Sequence, residues 1–417
     1  MNGFVFDSLT FRKFLLQLIL PFLVTLFFLQ GFRTFVVDIY IALFNILWEG
    51  TGEYLPLLGL LVFATPLIAI LLHKKISIRY LITGSAILTA FFSLPISLQL
   101  PYEVELILAS MVVAFFSIFL PFYLNWRRQD QSQMSYSDDA ALLSISIILA
   151  FSYDILFRTL GTTYDISRIL LSFPIQFVFV VIILWANYAL ITSNSQQSLI
   201  PSESSQNPLE EEEKVKPTTS RIAGIFTIAG IGAFLFLEHS LLLNPHNILR
   251  WAYPPYFLLD ITITLILTLI VLIITAILLV HNKLRDYLNR EKWYTMAIGN
   301  LILMFLLASL FFSGGWVATI SIIAFQLMMI INLYFILQFT LHPSHHWSST
   351  ILCTAIFLTL LILLLWDVMF AFTFTYAYLG DIGSIFAGQA ITIILSAAII
   401  LGITSTYSVY KLRRLKQ

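Results

Sequence analysis

The chain of 417 residues has little charge, since only 11% of its residues are Asp, Glu, Lys or Arg. Soluble domains carry about 25%. Its single cysteine, Cys353, excludes an internal disulfide, a multi-cysteine zinc site and a self-contained cysteine-ligated cluster. No Gly-x-Ser-x-Gly elbow, Gly-Lys-Ser/Thr phosphate loop or His-Glu-x-x-His helix occurs, so nothing marks an esterase, a nucleotide hydrolase or a zinc protease. No catalytic residue, metal site or cofactor is therefore expected, and a non-catalytic role is favoured over an enzymatic one, which stays open. Its 22 basic and 22 acidic residues cancel, which leaves no global basic field for nucleic acid.

What the chain has instead is apolar sequence, at 59% hydrophobic residues, including 37 Phe. A bilayer core of about 30 Å takes about 20 helical residues, because every backbone N–H and C=O there must be satisfied within the segment. Apolar runs of that kind cover 14–48, 55–72, 80–97, 103–124, 140–158, 168–191, 221–243, 255–281, 293–313, 315–340, 349–379 and 384–410. Gln30-Gly31 is a candidate break in the first run, which reads as a span rather than a cleaved leader. Residues 193–220 are rich in Ser, Pro, Gln and Glu with little to bury, and are expected to be a disordered linker. Spans 1–192 and 221–417 thus form two sets of six helices. Eighteen of the 22 Lys and Arg fall on one side of this arrangement, leaving only Arg33, Arg158, Arg168 and Arg250 toward the other. The positive-inside rule then places both termini in the cytoplasm.

Short matches recur between the two sets at offsets of 207 to 215 residues. Ala69-Ile-Leu-Leu answers Ala276-Ile-Leu-Leu, Tyr80 and Gly84 answer Tyr294 and Gly299, and Asp154-Ile-Leu-Phe157 answers Asp367-Val-Met-Phe370. Six spans per set bring both in from the same side, so the repeat is parallel. The expected fold is an all-α polytopic membrane protein, with twelve transmembrane helices in two parallel, pseudo-symmetric six-helix halves.

That layout resembles the major facilitator superfamily. The loop Leu71-Leu-His73-Lys-Lys75-Ile-Ser-Ile-Arg79, followed by Gly84, is similar in place and basic character to that family's loop between helices 2 and 3, but has no acidic residue and no loop glycine. A second resemblance lies in Phe236-Leu-Glu-His239 with Arg250-Trp251. It is similar to the transmembrane part of the calcofluor-white-hypersensitive family, the post-GPI-attachment interacting proteins of GPI-anchor lipid remodelling. Many members add a C-terminal phosphatase-like domain, which is expected to be absent here. The resemblance implies membrane lipids as partners, headgroup binding in an outward-facing polar cavity, and a separate phosphatase-like soluble partner. The alternative is a major-facilitator-like secondary transporter of a small solute.

Ionisable groups within apolar runs cost about 2.5–3.5 kcal/mol each and usually face a protein or aqueous interior. They are Arg33, Asp38, Asp154, Arg158, Glu238, His239, Asp260 and Asp367; with Arg250 in an outer loop, these are the candidate ligand-binding residues. Asp154 and Arg158, four apart, can pair on one helix face. Asp154 and Asp367 stand at equivalent repeat positions, which suits a proton relay or a pair of structural caps. Glu238 and His239 point about 100° apart and form no ready dyad. Arg250 can grip a phosphate or anchor the interface beside Trp251. His342, His345 and His346 cluster in a loop and are expected to be solvated.

Overall fold

A computed structural model describes residues 14–49, 55–73, 75–98, 100–129, 135–163, 168–192, 261–309, 316–342 and 409–410. Every regular element among them is helical. They are α1 (Leu20–Glu49), α2 (Leu55–His73), α3 (Ile78–Ser93), α4 (Tyr102–Gln129), α5 (Tyr136–Thr163), α6 (Arg168–Thr192), α7 (Ile261–Val280), α8 (Asn282–Arg290), α9 (Lys292–Ser309) and α10 (Trp316–Leu341). Four described stretches, Leu15–Phe32, Ile78–Ile96, Glu103–Arg128 and Pro174–Thr192, are long and apolar enough to cross a membrane. The chain is an all-α, multi-pass membrane protein. Runs 221–243 and 349–379, the linker, and all of run 384–410 except 409–410 lie outside the described residues.

Three boundaries differ from the hydropathy reading. The first span is not broken at Gln30-Gly31, since α1 runs unbroken from Leu20 to Glu49 after a π-helical turn at Leu15–Ile19. Helices α4 and α5 extend past the apolar runs into Asn125–Gln129 and Tyr136–Asp139. Residues 282–290, expected as a loop, form α8. The extensions follow from dipole chemistry: α4 opens on Glu103 and Glu105 and closes on Arg127 and Arg128, while α5 opens on Asp138 and Asp139.

Several hydroxyls inside the spans are absorbed by their own helices, whereas those of Thr83 and Ser152 are buried without a partner among the described residues. Ser85 donates to Leu81 O (2.6 Å), Ser110 to Leu106 O (2.7 Å), Ser144 to Ala140 O (2.8 Å) and Thr275 to Val271 O (2.7 Å). Each of these donating side chains is thereby buried without an orphan donor. The π turn does the reverse, because its widened ladder leaves carbonyls for neighbours. Tyr123 of α4 donates to Leu16 O (2.9 Å), and Ser146 of α5 donates to Leu18 O (3.1 Å).

The core gathers around α1, which packs against α3, α4 and α5. Aromatic rings fill its seam with α4, with Phe28 stacked on Phe116 at 3.8 Å between centroids and Phe119 stacked on Tyr123 at 5.2 Å. On its other side α5 packs against α7 and α10. Helix α5 is therefore the main join between α1–α6 and α7–α10.

Candidate functional site

Two consecutive aspartates at the start of α5 diverge, as neighbours 100° apart on a helix must. Asp139 turns toward α4. Its Oδ1 accepts from Arg127 Nη2 at 2.6 Å, and the two side chains are only 3% and 1% exposed. Arg127 Nη1 also donates to the Tyr123 hydroxyl (3.3 Å), and its guanidinium stands over that ring. Asp138 turns toward α8 and forms an ion pair with Arg285. One carboxylate thus ties α5 to its own set of helices, and its neighbour ties α5 to the other set.

A neutral network continues the second contact. Asn289 of α8 donates to Ser137 Oγ (3.0 Å), the Tyr334 hydroxyl donates to Asn289 Oδ1 (2.8 Å), and Gln338 Nε2 donates to the same oxygen (3.0 Å). Ser137 and Tyr334 hydroxyls also meet at 3.0 Å. His342, just past α10, lies on the Tyr136 ring at 4.6 Å. It was expected to be solvated in a loop; it is instead part of this junction. Every cross-set contact here is made by side chains, and all sit at the Lys- and Arg-rich end of the bundle.

Burial, and secondarily the charge of Lys292, holds the His342 imidazole below its ordinary range. An unfolded chain titrates near 6.5 and so binds more protons than the folded one just below that pH. Stability contributed by neutral His342 is complete above that value and is lost as pH falls through and below it. Thermal unfolding in detergent from pH 7.5 to 5 is expected to show a steeper acid loss for wild type than for His342→Gln; parallel curves would refute the assignment.

Asp154 lies about 22 Å along α5 from Asp139, at 1.5 Å per residue. It is 5% exposed, whereas Leu149, about 140° round the helix, is open to the surroundings. Asp154 therefore faces the bundle interior. Of the other predicted site residues, Arg33 and Asp38 on α1 and Arg158 on α5 have side chains outside the described residues. Glu238, His239, Arg250, Asp260 and Asp367 lie wholly outside them. The Asp154–Arg158 and Asp154–Asp367 pairings thus lie outside the described residues.

Buried amides are the groups that sequence reasoning missed. Asn332 of α10 donates to Asn300 Oδ1 of α9 at 2.7 Å. These residues are 5% and 0% exposed, and Asn300 Nδ2 and Asn332 Oδ1 have no partner among the described residues. Asn187 Oδ1 and Gln176 Oε1 on α6 are also buried without one. Among the described residues, no group of three His, Cys, Asp or Glu could hold a metal ion.

No protein-family model and no curated protein matches the chain, so the GPI-lipid remodelling resemblance gains no support. Among solved structures, it is similar to the major facilitator transporter FucP in its outward conformation, at 15% identity and TM-score 0.49, covering 93% of this chain and 98% of that one. A variant of the E. coli fucose:proton symporter FucP gives 16% identity and TM-score 0.47 over 93% and 98%. A bacterial homologue of the human lysosomal transporter Spinster, inward-facing and unoccupied, gives 14% and 0.49 over 96% and 97%.

Proposed function

We propose that the chain is a major-facilitator-like secondary transporter of a small polar solute, in which Asp154 binds and releases the coupling proton. The observation that carries this reading is the division of labour along α5. At its start, side-chain contacts tie it to α8 and α10. Some 22 Å deeper, the same helix buries a carboxylate. A charge at that depth costs about 2.5–3.5 kcal/mol, so gain or loss of one proton there is large enough to bias an equilibrium between two packings of α5.

In this reading the Lys- and Arg-rich end faces the cytoplasm, and the junction of α5 with α8 and α10 holds that side shut. Opening breaks the Asp138–Arg285 pair and the Ser137–Asn289–Tyr334 network, while Arg127–Asp139 stays intact and keeps α4 and α5 moving together. Asp367, at the equivalent repeat position in the sequence, and Glu238 are the second-half carboxylates proposed to share the task. Buried amides on α9 and α10 offer a donor and an acceptor to a solute once the packing shifts.

The test is solute-driven proton movement in proteoliposomes containing a trapped pH dye, challenged with a panel of sugars, amino acids, nucleosides and organic cations. At least one class is expected to drive proton uptake that falls at least tenfold in Asp154→Asn. Equal proton movement in wild type and Asp154→Asn, or none with any solute, would overturn the proposal.

A further inference from the structure

Helix α8 has two sides with different work. Arg285 and Asn289 point into the junction, and Leu288 packs against the core. Lys283, Tyr287 and Arg290 are exposed on the opposite side, Tyr287 by 63%. Their spacing of four and then three residues puts them on one face, with the two cations about 10 Å apart along the helix. Tyr294, four residues beyond Arg290, is exposed at the start of α9.

The level of this face is set by its neighbours. Ile273, Ile277 and Val280 on α7, and Ile298, Leu301 and Ile302 on α9, are large apolar side chains open to the surroundings. Such apolar belts meet acyl chains; the first ends just before α8 begins and the second starts a few residues after α8 ends. Tyrosines beside cations at the end of an apolar belt sit at headgroup depth. Asp286 is exposed on the same helix, and Glu291 and Lys292 follow half-buried at its end; with Lys283 and Arg290 these leave one net positive charge.

We propose that Lys283, Tyr287, Arg290 and Tyr294 form a docking face for an anionic phospholipid headgroup. The cations engage its phosphate, and the two phenols hydrogen-bond at the glycerol level. A zwitterionic headgroup brings its own ammonium and is the poorer match. Because the other side of α8 carries Arg285 and Asn289, a lipid held here steadies the junction from outside. The inference rests on the surface of α8 and is independent of what the protein carries.

The experiment is native mass spectrometry of the full chain, purified from membranes of mixed phosphatidylcholine and phosphatidylglycerol, counting lipids of each kind retained. Wild type is expected to keep phosphatidylglycerol preferentially. Lys283→Gln with Arg290→Gln is expected to lose about tenfold in that retention. Asp286→Asn is expected to keep or increase it, and the single Gln variants to lose about threefold each should the double variant not fold. Equal retention of the two lipids by wild type, or undiminished phosphatidylglycerol in the folded Gln variants, would overturn the proposal.

Discussion

Replacing Asp139 by Asn is expected to destabilise the protein by about 3–5 kcal/mol, because it strands the guanidinium of Arg127 in a place with almost no solvent. Attraction within the wild-type pair is not the source of that figure. Burying two charges offsets most of what their attraction gains, so the pair itself contributes little. The loss comes from leaving one charge behind. Arg127 would keep only the Tyr123 hydroxyl at 3.3 Å, and its Nε already lies buried without an acceptor. Removing both charges should therefore recover most of the stability: Arg127→Met with Asp139→Leu is expected to unfold far closer to wild type than Asp139→Asn does. Asp138→Asn supplies the contrast. Its ion pair with Arg285 is partly open to water, and a pair of that kind is worth about 1 kcal/mol or less. Thermal unfolding in detergent, followed by monodispersity, ranks the three variants. An Asp139→Asn protein as stable as Asp138→Asn would show that Arg127 reaches water.

The apolar runs were legible because hydropathy is a local property. Run 168–191 and α6 (Arg168–Thr192) differ by one residue, and run 55–72 and α2 (Leu55–His73) likewise. Errors fall where polar residues at a helix end are satisfied by another helix, a fact that no window of sequence contains. Asn125 to Arg128 and Ser137 to Asp139 lie outside the apolar runs, yet they are helical; Arg127 with Asp139 joins α4 to α5, and Ser137 with Asp138 joins α5 to α8. Helix α8 was invisible for the same reason: one side is charged for its surroundings, the other for Asp138 and Ser137. Asp154 stood out because an acid in an apolar run is costly wherever it lies. The amides of Asn187, Asn300 and Asn332 did not, since a scan weighted by charge passes over a neutral group whose cost appears only on burial without partners. The divergence of Asp138 and Asp139 follows from helix geometry, but their partners depended on the fold.

Gly31 shows the other way in which a sequence signal misleads. A glycine in a long apolar run suggests a break, because glycine costs about 1 kcal/mol relative to alanine in a helix. Here α1 continues through it, and the glycine serves the approach of α4. A Cβ at position 31 would lie 2.5, 2.6 and 2.9 Å from Val112 Cγ1, Cβ and Cγ2. All three atoms sit at or next to the backbone of α4, so no rotamer change clears them. Two effects of Gly31→Ala therefore oppose each other: about 1 kcal/mol of helix propensity gained, against overpacking that runs about 1–3 kcal/mol and more where a backbone must move. The second should win, with a net loss of about 1–2 kcal/mol for Ala and a larger one for Leu. Gly84 is the internal control, because a Cβ there meets nothing within 4 Å and Gly84→Ala should be neutral or mildly stabilising. Exchanging the gap between the helices, Gly31→Ala with Val112→Gly, should recover part of the loss even though it places a glycine in α4. If Gly31→Ala unfolds at the same temperature as Gly84→Ala, the α1–α4 seam is looser than its ring stacking implies. In that case the close approach at position 31 is not what joins these helices.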